Sequence, residues 1–413
     1  MWARLLDGML RRLVSDGALE VRLPDGTRRR YGRGDAKPVC VTLSDPATLR
    51  RVALNPDLAV GEAWMDGTLT IEGDDLHGLL ELVFRNGFTC PKAAPQGLLR
   101  GIRRVLRWVE QYNPATRARR NVAHHYDLSG ELYGLFLDRD RQYSCAYFPK
   151  PDTGLDEAQE AKKALIARKL LLRPGMKVLD IGCGWGGMGL TLAREHGAEV
   201  TGVTLSEEQH KLANARASEA GLDGRAAFHL RDYRDQQGVF DRIVSVGMFE
   251  HVGVPHYREY FRHLREKLAP DGVALVHTIG RSEGPGATNA WMAKYIFPGG
   301  YIPALSEASA AIEREGLMIT DVEVWRLHYA ETLRHWYDRF MANIDRARAL
   351  YDERFCRMWR FYLVGSEMSF RHGTQVVFQF QLARRHGAVP VTRDYLMAPP
   401  AKPALELVQA AEA

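Results

Sequence analysis

The chain has 413 residues, a formal net charge of +5, 46% hydrophobic and 26% charged residues. That length exceeds one typical domain and is ample for two filled cores. No run of about eighteen apolar residues occurs, which excludes a membrane-spanning helix. Five scattered cysteines (Cys40, Cys90, Cys145, Cys183, Cys356) show no metal spacing and point to reduced thiols in a cytosolic compartment.

In chain order, MWARLLDGMLRRLVSDG reads as an amphipathic helix rather than a signal peptide. ALEVRLPDGTRRRY (18–31) alternates around a Pro24-Asp25-Gly26 hairpin turn. Val39–Leu43 is a predicted strand, and Ser44-Asp45-Pro46 opens a helix to about Asn55. Met65–Glu72 reads as a short strand pair and Leu76–Phe84 as a helix. Residues 1–90 are thus a small α+β module without a cluster of catalytic residue types, suited to lipid docking or dimer contact.

Residues 91–120 form a basic linker. From Lys92 to Arg120 there are eight basic residues and one acid, Glu110, interleaved with Leu98, Leu99, Ile102, Val105, Leu106 and Trp108. A basic amphipathic helix with a tryptophan suits an anionic membrane surface. A linker helix packing its apolar stripe on a neighbouring domain fits equally. Nucleic acid is disfavoured, because no binding motif accompanies the charge. Residues 121–395 form the second domain, and 396–413, rich in Ala and Pro, a mobile tail.

Within the second domain, Asp156–Leu172 is a predicted helix, followed by a βα alternation. Strands are expected at 177–181, 199–204, 226–230, 242–246 and 273–278, with helices at 188–196, 207–220 and 256–268. The pattern is a doubly wound, Rossmann-like parallel sheet with helices on both faces. Helical spacing returns over 327–351 and 355–370, and 374–382 reads as a strand.

The first strand runs into VLDIGCGWGG (178–187). Strand, glycine turn and helix make a nucleotide-type site at the carboxyl edge of the sheet. The glycines also fit the dinucleotide fingerprint, so the flanking residues decide. Asp180 suits a ligand with an ammonium group and would repel a pyrophosphate. The second strand ends in Thr204, Leu205 and Ser206, with Gln209 one turn on, and lacks the acid that holds the ribose of NAD. Both details favour S-adenosylmethionine. Asp232 and Tyr233, after the third strand, are placed for an adenine. Glu250 and His277, at the ends of the fourth and fifth strands, approach one region. WMAKYIFPGGYIP (291–303) is an irregular aromatic stretch fit to line an apolar pocket or form a lid, or to pack beneath a loop.

Together with HYDLSGELYGLFLD (125–138), YSCAYF (143–148), GVTLSEEQ (202–209), RDYRD (231–235), FDRIVSVGMFEHVG (240–253), HTIG (277–280) and FRHG (370–373), these motifs resemble the cyclopropane-fatty-acyl-phospholipid synthases and their mycolic acid relatives. The resemblance covers residues 120–385 and implies a class I methyltransferase sheet. It implies methylene transfer from S-adenosylmethionine to the cis double bond of unsaturated phospholipid acyl chains, through a carbocation deprotonated by bound bicarbonate. A methyl- or methylene-branched product is the alternative.

Carried over by motif, bicarbonate maps to Cys145, Glu250, His277, the Ile279 amide and Tyr329. The cofactor maps to Tyr143, Ser144, Asp180, Gly182, Cys183, Gly184, Thr204, Leu205, Ser206, Gln209, Asp232 and Tyr233. No metal is implied. Glu250 beside bicarbonate requires either a shared proton or a charged His277. Tyr143, Phe249, Phe297 and Tyr301 either ease the cation with their ring faces or pack the core. Ser366 stands where many relatives have a cysteine. The implied setting is the cytoplasmic face of the inner membrane, peripherally bound, with a homodimer plausible.

Overall fold

The computed structural model describes residues 1–87 and 130–397. The expected basic helix of the linker, residues 121–129 and the expected mobile tail from 398 lie outside the described residues. The described residues divide into two compact units. One comprises 1–87, 287–298 and 329–375, the other 130–286, 299–328 and 376–397.

The N-terminal module runs α1 (Trp2–Leu13), β1 (Ala18–Arg22), β2 (Arg28–Gly32), β3 (Val39–Leu43), α2 (Pro46–Leu54), α3 (Pro56–Met65), β4 (Leu69–Ile71) and α4 (Leu76–Gly87). Its sheet has the order β2-β1-β3-β4. The hairpin forms as expected, with Leu19 opposite Tyr31. Asp45 caps α2 by accepting from the Thr48 amide at 2.8 Å. Residues 65–72 do not form a strand pair. α3 extends to Met65, and only β4 follows, antiparallel to β3. α3 has no counterpart among the predicted elements because it is buried on most sides, through Ala59, Gly61, Ala63, Trp64 and Met65. It therefore lacks the polar stripe that marks helical period.

The chain continues through α5 (Gly130–Gly134), α6 (Leu155–Lys169), β5 (Lys177–Ile181), α7 (Gly187–His196), β6 (Glu199–Thr204), α8 (Glu207–Glu219), β7 (Ala226–Leu230) and β8 (Phe240–Val246). Then come α9 (Tyr257–Lys267), β9 (Leu268–Arg281), α10 (Ala290–Tyr295), α11 (Leu305–Arg314), β10 (Met318–Trp325), α12 (His328–Ala342), α13 (Ile344–Leu350), α14 (Glu353–Arg371) and β11 (Gln375–Ala383). In the first unit, Val364 and Met368 of α14 join Leu6, Leu10, Leu19 and Leu80 in one core. Trp291 of α10 lies on Gly61, where a Cβ would come 2.5 Å from its ring.

The second unit is built on a seven-stranded sheet, order β10-β11-β9-β8-β5-β6-β7. β5 to β9 pair in parallel, and β10 runs antiparallel to β11. Two apolar clusters, centred on Ile243, Phe261 and Val276 and on Val178, Leu192 and Phe228, fill it. Register aligns one row across five strands: His229, Val203, Ile181, Ser245 and Val276. The chain reverses direction of winding between β5 and β8, so a crevice opens beyond their carboxyl ends.

Candidate active site

One residue beyond that row, β5, β6 and β9 bring Gly182, Thr204 and His277 to the same edge, and the segments that follow β7 and β8 carry Asp232, Tyr233 and Glu250. β5 carries Asp180 as its penultimate residue and runs into the glycine turn, which Val203 O anchors by accepting from the Gly182 and Cys183 amides at 3.0 and 3.1 Å. Gly184 takes φ +55° and a Cβ there would meet open space, so the bare backbone faces the crevice. Gly187 has a different reason. A Cβ on it would collide with Gln142 Nε2 and the Asp140 carboxylate. It packs α7 against the loop before α6. The Cys183 thiol is buried, which holds it well above its ordinary pKa and unreactive.

Asp180 is 2% exposed, and its Oδ2 has no partner. Burial pushes the carboxyl up to about 7, against the Gly189 backbone amide. A buried acid oxygen left without a donor fits the ammonium group of S-adenosylmethionine.

The β6 edge is organised by its own side chains. Ser206 caps α8, accepting from the Gln209 amide at 3.3 Å. The Thr204 hydroxyl donates to Gln209 Oε1 at 2.9 Å and accepts from the Ser206 amide at 3.2 Å. Leu205 lies half-buried between them. At the β7 edge, Asp232 is gripped by Arg234, with Nε to Oδ1 at 2.9 Å and Nη2 to Oδ2 at 2.6 Å. Tyr233 is buried edge-on against Tyr260 at 5.5 Å.

Glu250 follows β8 in a short turn. Its Oε1 accepts from the Ile279 amide at 2.6 Å, while the buried Oε2 has no partner. Burial pushes the carboxyl up to about 7, opposed by that amide. The Ile279 N–H, expected to donate to a bound anion, is thus given to Glu250. Tyr301 donates its backbone amide to Glu250 O at 3.0 Å and its hydroxyl to Glu307 at 2.7 Å, so it braces the turn. Phe249 is wholly buried among Tyr257, Tyr260 and Phe261 at 4.3 to 5.2 Å. Phe249 and Tyr301 therefore answer to core packing. Tyr143 is half-buried beside Tyr133 at 5.2 Å.

His277 is 2% exposed and lies edge-on to Trp325 at 5.2 Å. Burial, then Lys162 and Lys169, holds its pKa well below the ordinary value. The ring is neutral near pH 7. Of the two ways to tolerate Glu250 beside an anion, this burial works against the charged histidine.

Cys145 is buried in the loop over α6, its thiol 3.3 Å from Ala146 O. Lys162, fully buried in α6, donates to Ser144 Oγ at 2.8 Å and Gln142 Oε1 at 2.9 Å. Burial draws this lysine down to about 8, against Asp138. Lys162 is absent from the expected residues. In QEAKKALIARK nothing marks the two adjacent lysines as buried, and only the fold reveals that both are. Tyr329 and Phe297 belong to the first unit, Tyr329 at the start of α12 against Phe370 at 4.9 Å and Phe297 against Tyr362 at 5.8 Å.

The family described as Mycolic acid cyclopropane synthetase matches residues 113–380, and a domain of unknown function matches residues 5–92. The chain belongs to the mycolic acid cyclopropane synthetase family. It is 38% identical over 336 residues to the cyclopropane-fatty-acyl-phospholipid synthase of Escherichia coli, covering 81% of this chain and 85% of that one. It is 36% identical over 390 residues to a probable fatty acid methyltransferase of Pseudomonas putida, covering 91% and 95%. Among solved structures, a mycolic acid cyclopropane synthase complexed with S-adenosylhomocysteine and CTAB matches with a TM-score of 0.61 and 34% identity, over 65% of this chain and 98% of that one. The chain is an enzyme of the S-adenosylmethionine-dependent methyltransferase class, on the fold its motifs implied.

Proposed function

We propose that this enzyme converts the cis double bond of unsaturated phospholipid acyl chains into a cyclopropane ring, at the cytoplasmic face of the inner membrane. The observation that carries the reading is the pair of buried carboxylates at one sheet edge, each with one unpartnered oxygen: Asp180 Oδ2 and Glu250 Oε2. The relative's role in forming cyclopropane phospholipids supports it.

Asp180, the Gly182–Gly184 backbone, Tyr143, Ser144, Thr204, Leu205, Ser206, Gln209, Asp232 and Tyr233 would hold S-adenosylmethionine, with Asp180 taking its ammonium. Cys145, Glu250 and His277 would hold bicarbonate, with the Ile279 amide steadying Glu250. The two groups supply, respectively, an electrophilic methyl and a base. An alkene is a weak nucleophile, so the chain's task is close, dry positioning. Glu250 can hold a proton near pH 7, so its Oε2 can donate to an anion instead of repelling it. Neutral His277 adds no cation to compete with the substrate's. Of the candidate rings Tyr143, Phe249 and Tyr301 in this unit, Tyr143 is half-buried and would face the cation.

The test is product analysis. The full chain is expressed in a host lacking cyclopropane lipids, and the fatty acid methyl esters are examined by gas chromatography–mass spectrometry. The expected product is heavier by one CH2 group with no alkene. An alkene retained with the same mass gain would instead assign a methyl- or methylene-branching activity, and unchanged lipids would sink the reading. Glu250→Gln should lower turnover roughly 100-fold with cofactor affinity unchanged. Loss of cofactor binding would remove Glu250 from the base side.

A further inference from the structure

Behind His277 runs a buried polar chain that neither family nor motif assigns. Gln379, on β11, is 1% exposed, and its Nε2 lies 3.0 Å from His277 Nδ1. Its Oε1 lies 2.6 Å from Lys169 Nζ, at the end of α6. Lys169 is 1% exposed and ion-paired to Glu323 of β10. Burial lowers its pKa and the Glu323 carboxylate opposes this. An ammonium has three donors and no acceptor, so it can face only the amide oxygen of Gln379. The amide nitrogen must then face the histidine, and an amide NH2 can only donate. His277 Nδ1 must therefore accept, and the ring proton sits on Nε2. Each step follows from the one before, beginning with a buried charge.

We propose that Gln379 and Lys169 are positioning residues for His277, holding its ring as the Nε2–H tautomer. This rests on the reading of His277 as part of the anion pocket. Within that reading, Nε2–H donates to an anion oxygen, and the same ring cannot take up the proton that the base must remove. Lys162 and Lys169 reinforce this, since their charges oppose imidazolium formation. Trp325 of β10 covers the ring and offers no acceptor beside it.

The test reads the tautomer directly. The full chain is labelled with [15N]histidine, and ring nitrogens are observed by 1H–15N correlation at pH 7, with His277 assigned against His277→Asn. In the wild type the protonated nitrogen should be Nε2. Gln379→Glu replaces the donor with an acceptor and should move the proton to Nδ1. Lys169→Met frees the amide to rotate and should give both tautomers. For Gln379→Glu, kcat should fall roughly 10–100-fold while cofactor affinity, measured by calorimetry, stays unchanged. A wild-type His277 protonated on Nδ1, or on both nitrogens, overturns the proposal. So does an unaltered Nε2–H in Lys169→Met. Should Gln379→Glu fail to fold, the wild-type and Lys169→Met spectra still decide. Full turnover by His277→Asn would instead sink the anion-pocket reading, whatever the tautomer.

Discussion

At the scale of single residues, this enzyme keeps an acid where a folded protein does not want one. Asp180 is buried and its carboxyl sits near 7, against an ordinary 3.8. A carboxyl raised by folding contributes stability that is fully present below pH 3.8 and lost as pH rises through about 7. The displacement corresponds to about 4 kcal/mol. The apo protein should thus lose stability between pH 4 and 7 on account of this residue, with Glu250 adding to the loss in the same window. Asp180→Asn should melt at a higher temperature than the wild type at pH 8 and equally at pH 4. The same substitution should weaken cofactor binding at pH 8, because the ammonium's counter-charge is gone. Wild-type affinity should rise with pH through about 7, and that of Asp180→Asn should not. Melting curves and calorimetry at the two pH values check both halves. An Asp180→Asn variant no more stable at pH 8 would mean that the carboxylate is compensated within the fold.

At the scale of elements, the glycine turn serves two masters, and substitutions can separate them. Gly184 faces open space with φ +55°, so Gly184→Ala should cost only about 1–2 kcal/mol of backbone strain. It should nonetheless lose cofactor affinity, since a methyl group enters the crevice. Gly187 abuts Gln142 and Asp140, whose carboxylate ties Lys163 at 2.6 Å and also pairs with Arg216. Gly187→Ala should lose about 1–3 kcal/mol of stability, measured by denaturant unfolding with saturating cofactor to compensate binding. If both variants lose stability alike and bind alike, the division is wrong. The parallel strands and this turn were legible because a buried strand running into glycines and then a helical period is a local pattern. β10 was not, because a register shift between Ile319 and Asp321 breaks its alternation. α10 was hidden by the Pro-Gly-Gly that follows it, while its cap, Asn289 accepting from the Trp291 amide at 2.9 Å, is a weak signal. The site's motif residues could be found on their own strands. Lys162, Lys169 and Gln379 could not, since Gln379 meets partners 102 and 210 positions away.

For the whole molecule, charge placement carries the argument. The stretch from Lys92 to Arg120 has eight basic residues and one acid, while the entire chain nets +5, so the remainder is slightly acidic. Basicity gathered into a single stretch, interleaved with leucines and a tryptophan, would orient the protein toward an anionic surface in a way that evenly spread charge would not. No helix among the described residues is long and apolar enough to cross a membrane. At roughly 1 kcal/mol for each basic residue near an anionic leaflet, Arg103→Glu, Arg104→Glu and Arg107→Glu together should weaken binding to phosphatidylglycerol vesicles by about 3 kcal/mol or more, upwards of 100-fold. Raising salt to about 1 M shortens the screening length to about 3 Å and should erase the difference between variant and wild type. Turnover of detergent-dispersed substrate should be unaffected, which separates surface capture from catalysis. Vesicle sedimentation at two ionic strengths makes the measurement. Equal binding by the triple variant at low salt would assign the stretch to packing within the protein and leave the membrane contact to be sought on the N-terminal module.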